Sequence, residues 1–129
     1  MAERWSIHAT EDACDVAMRA PGAGRVAPDE VFVAGPLAPD LRAAVERVDP
    51  DAVIRDARDG WEEVVLDPED ARAVWPGLSP LTLPDAPGYV QGDVAGVPVR
   101  AIVKQETVSL FVRPPVAFHL RRRIEEERT

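Results

Sequence analysis

The sequence predicts an α+β fold, in which about three helices pack on an antiparallel or mixed sheet within a single compact domain. Three observations support this class. Several short segments alternate apolar and polar residues, as strands with one buried face do. Other segments repeat apolar residues at spacings of three and four, as helices do. Almost every connection is short, which favours antiparallel pairing.

The first predicted element is a strand over residues 6–19, where Cys14 lies among apolar residues on one face. Residues 29–34 form a short apolar run that ends at a Gly-Pro pair, which indicates a second strand. We expect the two to pair as a hairpin within residues 5–36. The intervening loop from Pro21 to Pro28 is predicted to be flexible.

A helix is predicted next, because apolar residues recur at i, i+3, i+4 and i+7 from Leu41 to Val48. The pair Asp49-Pro50 ends it, since the residue before proline leaves the helical region. Residues 52–57 and 61–66 then predict two further strands. We expect them to form a pair joined by a turn in which Gly60 takes a positive φ.

The second helix has the clearest start signal in the chain. Asp67 can cap the helix, Pro68 suits its first position, and two carboxylates follow in the first turn. Pro76 and the glycine after it are expected to end the helix after about two turns. Residues 79–87 are interrupted by prolines and are predicted to be irregular.

The last part of the chain predicts three antiparallel strands and a helix. Residues 88–94 and 97–104 flank Ala95-Gly96 as a hairpin, and residues 107–113 alternate as the third strand. Two prolines open the final helix, which places Leu120 and Ile124 inward. The tail over residues 126–129 is expected to fray.

Charge and composition argue against two classes of partner. The chain has 129 residues, a net charge of -8 and a pI near 4.7, so nucleic acid and anionic membranes are expected to be repelled. No apolar run approaches the ~20 residues that span a bilayer. One cysteine and a charged N-terminal segment predict a cytoplasmic protein.

The reactive side chains show no spacing for joint chemistry, so we predict no catalytic, cofactor-binding or metal-binding residues in this chain. Cys14 fits a small buried hydrophobe better than a reactive thiol, and neither His8 nor His119 has an evident partner. Residues 22–27 match the dinucleotide pattern G-x-G-x-x-A, but a proline and a strand follow where a helix is needed. Acidic residues 11, 12 and 15 fit a solvated strand end better than a calcium site.

A protein interface is the remaining kind of site that the sequence suggests. Tryptophan is enriched at interface hot spots, although packing in the core is the equal alternative for each one. The triple-arginine run of the last helix could contact a partner, or each arginine could pair with the glutamate four residues later. The possible interface residues are Trp5, Trp61, Trp75, Arg121 and Arg122.

Four segments carry a family resemblance. Residues 29–36, 54–58 and 64–75 are similar to strand and helix motifs written "DEWLL.GP", V-x-D-x-(S/A)-x and "L.GP.AR.VL". Residues 77–83 are similar to "..CPLDL", with Ser79 in place of the usual cysteine. With these motifs, residues 52–126 resemble the gamma subunit of heterotetrameric sarcosine oxidase and, more distantly, the aminomethyltransferase (glycine-cleavage T-protein) superfamily. This chain has Asp67-Pro68 where many relatives have Gly-Pro.

The resemblance implies a role beside other subunits. It predicts an accessory, non-catalytic subunit that packs against larger oxidoreductase subunits, which would carry FAD, FMN, NAD or folate and act on an amine such as sarcosine. Self-association is the alternative partner, and a stand-alone folate or small-molecule binding domain is the alternative function. On either interpretation, the resemblance places this chain in one-carbon metabolism.

Overall fold

The computed structural model describes residues 3–128, and the chain divides into two compact units, Met1–Asp59 and Gly60–Thr129. Each unit contains a four-stranded antiparallel sheet and two helices within the described residues. The predicted α+β class and the antiparallel pairing are therefore confirmed, with two sheets in place of one. The single domain expected over residues 1–129 stays a prediction.

The first unit places its strands in the order β2-β3-β1-β4. Its core consists mainly of small and branched apolar side chains, including Ile7, Cys14, Val31, Val33 and Val45, all fully buried. The elements of this unit are β1 (Arg4–His8), α1 (Glu11–Ala17), β2 (Ala23–Ala27), β3 (Glu30–Ala34), α2 (Pro39–Val48) and β4 (Val53–Asp56).

Helix α1 occupies most of the segment predicted as the first strand, so that prediction is wrong after β1. Thr10 is the N-cap, and its hydroxyl oxygen accepts a hydrogen bond from the Ala13 amide at 3.3 Å. Two carboxylates in the first turn suit the positive end of the helix dipole. Ala13, Cys14 and Ala17 are all buried, and their positions i, i+1 and i+4 lie on one face of a helix.

Strand β2 lies in the loop that was predicted to be flexible. The predicted antiparallel pairing of the first strand with residues 29–34 is confirmed for β1 and β3, but the two are not joined as a hairpin, because β2 forms the hairpin with β3. Strand β1 also pairs with β4 on its other side. The Arg25 side chain orders this region, since its Nη1 donates to Asp15 Oδ1 at 2.7 Å and its Nη2 donates to the Pro28 carbonyl at 2.8 Å. A charged side chain on a bulged edge strand therefore replaces the expected mobile loop.

The second unit places its strands in the order β5-β8-β7-β6, with α3 and α4 covering one face. Val64, Leu110, Leu120 and Ile124 belong to the core that the sheet forms with these helices. The elements of this unit are β5 (Glu62–Leu66), α3 (Pro68–Leu78), β6 (Gly88–Val94), β7 (Val97–Val103), β8 (Val108–Val112) and α4 (Ala117–Glu127).

The hairpin of β6 and β7 and the third strand β8 are confirmed. Ala95 and Gly96 form the two-residue turn between β6 and β7, and both have a positive φ (55° and 82°), as a type I′ turn requires. The pairing of the two middle strands is wrong, because β4 pairs with β1 and β5 pairs with β8. The residues between them form a single 3₁₀ turn, and Gly60 is not among the glycines with positive φ.

Helices α2, α3 and α4 appear where the sequence predicts them, with two differences. The two prolines expected to open α4 form a 3₁₀ turn, Pro114–Val116, and α4 begins at Ala117. Helix α3 continues through Pro76 to Leu78, one turn past its expected end. Leu78 is buried in the core, so packing stabilises this last turn although proline removes one helical hydrogen bond. Asp67 occupies the N-cap position without a side-chain cap bond. In the tail, α4 extends to Glu127, and residue 129 lies outside the described residues, as do residues 1 and 2.

Candidate docking surface

Strand β5 forms one end of the second sheet, and its middle carries an exposed apolar side chain. The residues before and after this side chain in the strand, Val64 and Leu66, are buried against the helices. Val65 points to the other face and keeps 55% of its surface exposed. A half-exposed valine on an end strand is a feature that a covering partner would remove from water.

Helix α4, whose Arg121 pairs with Glu62 of this strand, carries a larger exposed apolar group. Phe118 is 75% exposed, the most exposed of the large hydrophobic residues described. Arg121 and Glu125 follow it at three and seven residues, so all three share one side of the helix. A groove of about 300 Å³ lies between this side of α4 and β5, with Val65, Arg121 and Glu125 in its lining. We define Val65, Phe118, Arg121 and Glu125 as the α4–β5 surface.

Ion pairs hold α4 in place along this surface. Arg121 pairs with Glu62 at the start of β5, and Arg128 pairs with both Asp70 of α3 and Glu125. The pKa of Asp70 lies below its usual range because Arg128 donates a hydrogen bond to its carboxylate. Since these cations already have carboxylate partners, the surface presents apolar groups between compensated charges.

The three predicted interface tryptophans differ in position. Trp75 is 4% exposed and belongs to the core of the second unit, where its indole Nε1 donates to the Leu81 carbonyl at 2.7 Å. Trp61 is half-buried between two guanidinium groups, with Arg100 at 4.3 Å and Arg113 at 4.0 Å from the ring centre. These contacts place Trp75 in the core and hold Trp61 by cation–π attraction.

Trp5 lies in the first unit and the two predicted arginines in the second. Trp5 is half-buried on β1, with the Arg42 guanidinium 5.6 Å from its ring centre. Arg121 belongs to the α4–β5 surface, and Arg122 is exposed with no ion-pair partner among residues 3–128. The expected pairing of each arginine with the glutamate four residues later occurs for Arg123, which contacts Glu127 at 3.3 Å.

Sequence reasoning missed the two apolar residues that define this surface. Phe118 could have been recognised from the sequence, because an aromatic residue on the charged side of an amphipathic helix, among Arg121, Arg122 and Glu125, is expected to be exposed. Val65 carried no such signal. It stands in a strand whose alternation predicts one exposed position, and only the sheet order shows that β5 ends the sheet.

A second groove, of about 400 Å³, lies beside the irregular segment after α3. Leu81, Leu83 and the exposed cation Arg72 are in its lining. The segment is fixed by hydrogen bonds: the Ser79 hydroxyl donates to the Asp93 carbonyl at 2.7 Å and accepts from the Leu81 amide at 3.2 Å. Ser79, which stands at the cysteine position of the motif that residues 77–83 resemble, thus positions this loop.

The reactive side chains occupy separate local environments. Cys14 is fully buried, its thiol donates weakly to the Ala9 carbonyl at 3.7 Å, and burial raises its pKa. His8 lies 3.5 Å from Glu30 on β3, and His119 Nε2 lies 2.9 Å from the Ala95 carbonyl. A raised thiol pKa lowers the thiolate fraction, which is the nucleophilic form.

The motif-like segments also have structural roles. Residues 22–27 run from a glycine turn into β2, and β3 follows where a dinucleotide site would need a helix. Glu11 and Asp12 lie in the first turn of α1, and Asp15 binds Arg25. Within residues 3–128, no group of three His, Cys, Asp or Glu side chains could hold a metal ion. In the same residues, no helix is long and apolar enough to cross a membrane.

These features define a small α+β protein with two four-stranded antiparallel sheets and an exposed apolar surface on the second unit. The same fold occurs in a chain of heterotetrameric sarcosine oxidase from Corynebacterium sp. U-96, solved in complex with pyrrole 2-carboxylate. The match has a TM-score of 0.75 and covers 98% of this chain and 78% of that chain, at 13% sequence identity. The fold implied by the sequence resemblance is thereby confirmed. No protein-family model matches, and no curated protein has a significantly similar sequence.

Proposed function

We propose that this chain is an accessory, non-catalytic subunit of an amine-oxidising complex similar to sarcosine oxidase, and that it acts by packing against larger subunits. The fold shared with a chain of a heterotetrameric enzyme carries this proposal. The exposed Phe118 and Val65 support it, because a partner that covers them removes two large apolar side chains from water.

In such a complex the larger subunits would hold the flavin, nicotinamide or folate cofactors, and this chain would supply binding surface alone. The complex would act on an N-methylated amino acid such as sarcosine and feed one-carbon metabolism in the cytoplasm. The chain's charge of -8 supports protein partners over nucleic acid or anionic membranes.

Replacing Phe118 with serine should weaken the complex by roughly 2 kcal/mol, about thirtyfold in dissociation constant, since a buried aromatic anchor is a typical hot spot. The Val48→Ser variant is the matched control. Val48 is also an exposed apolar residue of a helix, 47% exposed on α2 in the first unit. Affinity purification of each tagged variant from its native cells, with the co-purifying large subunits quantified, measures the difference. Equal losses for both variants would contradict a role for Phe118.

The second groove, which is lined by Arg72, Leu81 and Leu83, favours a second candidate function, a stand-alone domain that binds folate or a related small molecule. A groove of about 400 Å³ is the right size for such a ligand. Arg72 donates to the Pro84 carbonyl at 3.1 Å and pairs with the exposed Asp85 at 3.3 Å, so a ligand carboxylate would replace Asp85 as its partner. On this alternative, tetrahydrofolate should release heat on titration into the isolated chain. Arg72→Ala should then reduce the affinity about tenfold or more, because a charge-assisted hydrogen bond is lost.

Arg122→Ala is the control for that titration, because Arg122 is an exposed arginine away from the groove. The accessory-subunit proposal predicts no measurable heat from the isolated chain in any variant. Calorimetry therefore separates the two functions.

A further inference from the structure

Two neighbouring side chains of helix α4 lie on the side that faces away from the core of the second unit. Ala117, Leu120 and Ile124 are buried and mark the inner side of the helix. Phe118 and Arg122, four residues apart, are neighbours on its outer side, and both are exposed. The helix thus presents an aromatic ring beside a guanidinium group.

The arginines of this helix differ in whether a carboxylate neutralises them. Arg122 has no ion pair and no hydrogen bond within the described part of the chain. The other two arginines of α4 and the arginine at its C-cap all have carboxylate partners. Their ion pairs are Arg121–Glu62, Arg123–Glu126, Arg123–Glu127, Arg128–Asp70 and Arg128–Glu125.

The carboxylates nearest to Arg122 along the helix are bound by other arginines. Glu125 and Glu126 follow Arg122 by three and four residues, the spacings at which helix side chains meet. Arg128 pairs with Glu125, and Arg123 contacts Glu126 at 3.1 Å. The positive charge of Arg122 is therefore left for a group outside this helix.

An aromatic ring beside an unpaired guanidinium specifies the surface that would cover it. Phenylalanine and arginine are both enriched in the buried centre of protein interfaces. A covering surface must offer the ring an apolar pocket, and it must offer the guanidinium a carboxylate, because a buried cation without a partner is costly. The chain's charge of -8 repels a broadly acidic surface, so the complementary surface carries a carboxylate beside the pocket and not an acidic patch.

We propose that Phe118 and Arg122 together bind a larger subunit, with the ring in an apolar pocket and the guanidinium paired with an aspartate or glutamate beside that pocket. This inference rests on the proposed function and specifies the chemistry of the partner. A second copy of the chain fits this surface less well. A symmetric pair of copies joined here would bring two Arg122 groups together, while the neighbouring carboxylates are already paired.

The first test measures how charge changes at Arg122 affect the native complex. Arg122→Ala should weaken binding about tenfold and Arg122→Glu about a hundredfold, because the second change also sets two carboxylates against each other. Arg47→Glu is the matched control, since it makes the same change of charge at an exposed arginine of α2 in the first unit. It should change binding by about twofold or less, because salt screens distant surface charges. Competition of each untagged variant with the tagged chain for the large subunits from native cells gives the relative dissociation constants.

The second test identifies the carboxylate by cross-linking. Carbodiimide joins a lysine amine to a carboxylate in contact with it, and the amide that forms contains no spacer. Lys104 is the one lysine of this chain, so Arg122→Lys adds a single new site for the reaction. Mass spectrometry of the treated complex should find the introduced lysine joined to an aspartate or glutamate of a larger subunit. The Arg47→Lys control should give no such link.

Three results would overturn the inference. These are a loss for Arg122→Glu no greater than for Arg47→Glu, no link from position 122 to a larger subunit, or a link from position 122 to a second copy of this chain alone. Circular dichroism confirms that each variant is folded.

The proposed function is tested apart from this inference. If the native complex forms and depends on Phe118 but tolerates Arg122→Glu, the subunit role stands and the contact with a carboxylate is wrong. If no larger subunit co-purifies with the unchanged chain, the subunit role itself is wrong, and the inference falls with it.

Discussion

The Trp75→Ala variant is expected to lose about 3–5 kcal/mol of unfolding free energy, the typical cost of truncating a buried tryptophan. Trp75 is 4% exposed and packs within the core of the second unit. Its indole also donates a 2.7 Å hydrogen bond to the Leu81 carbonyl, which fixes the segment between α3 and β6. A loss of this size is a large fraction of the roughly 5–15 kcal/mol that stabilises a typical domain.

A second substitution separates packing from hydrogen bonding at the same position. Trp75→Phe keeps most of the apolar contact and leaves the Leu81 carbonyl without its donor, so we expect a loss of about 1–3 kcal/mol. Urea denaturation followed by tryptophan fluorescence and circular dichroism measures both variants, with Trp5 and Trp61 remaining as probes. A loss of less than about 1 kcal/mol of unfolding free energy for Trp75→Ala would show that this side chain contributes little to the stability of the core.

Adding a methyl group at Gly88 should have the second largest effect on stability. A Cβ atom there would lie 2.5 Å from the Asp85 carbonyl oxygen and 2.8 Å from side-chain carbons of Pro84. Because the Asp85 oxygen belongs to the backbone, rotation of a side chain cannot relieve the overlap, and the loop before β6 must shift. Gly88 is the first residue of β6 and pairs with Val103, so this shift would disturb the start of the strand. Gly88→Ala is expected to cost about 3 kcal/mol, the upper part of the range for overpacking.

Gly96→Ala is the matched control for that overlap. Gly96 has a φ of +82°, but nothing lies within 4 Å of the point that an added Cβ would occupy, so only the cost of a left-handed alanine remains, about 1 kcal/mol. Thermal unfolding should therefore place the midpoint of Gly88→Ala several degrees below that of Gly96→Ala. The reverse order would show that the loop at Asp85 shifts readily, so that the overlap at Gly88 costs less than the left-handed conformation at Gly96.

Elements with local signals could be predicted from the sequence. The Ala95-Gly96 turn between alternating segments defines the β6–β7 hairpin, and Pro68 after Asp67 marks the start of α3. Both signals depend on residues adjacent in the chain, where backbone preference decides the outcome. The buried faces of α2 and α4 follow from helical spacing for the same reason.

The errors occurred where the decisive contacts are distant or where two periods overlap. The apolar residues among residues 11–17 are compatible with both strand and helix periodicity. The hydrogen bond from the Ala13 amide to the Thr10 hydroxyl caps the helix and stabilises its start. Strand β2 contains one glycine and two alanines among its five residues, so its side chains carry little pattern, and pairing with β3 forms it. The pairing of β1 with β4, or of β5 with β8, has no local signal in the sequence.

The candidate site was predicted only in part. Arg121 was identified from the arginine run, whereas its cross-element partner Glu62 depends on tertiary packing. Tryptophan content pointed to Trp75, yet that side chain fills the core and Phe118 is the exposed aromatic group. Composition identifies the residue types of an interface, and only the sheet order and helix orientation show which of them reach the surface.

The mass of the native assembly tests the central claim most directly. The chain, tagged and expressed at its natural level, should elute from size exclusion in a complex with larger subunits, and mass spectrometry should identify them as flavin- or folate-dependent oxidoreductase chains. Light scattering should give the mass of that complex. A chain that elutes by itself at the mass of one copy, with no larger subunit bound, would contradict the account.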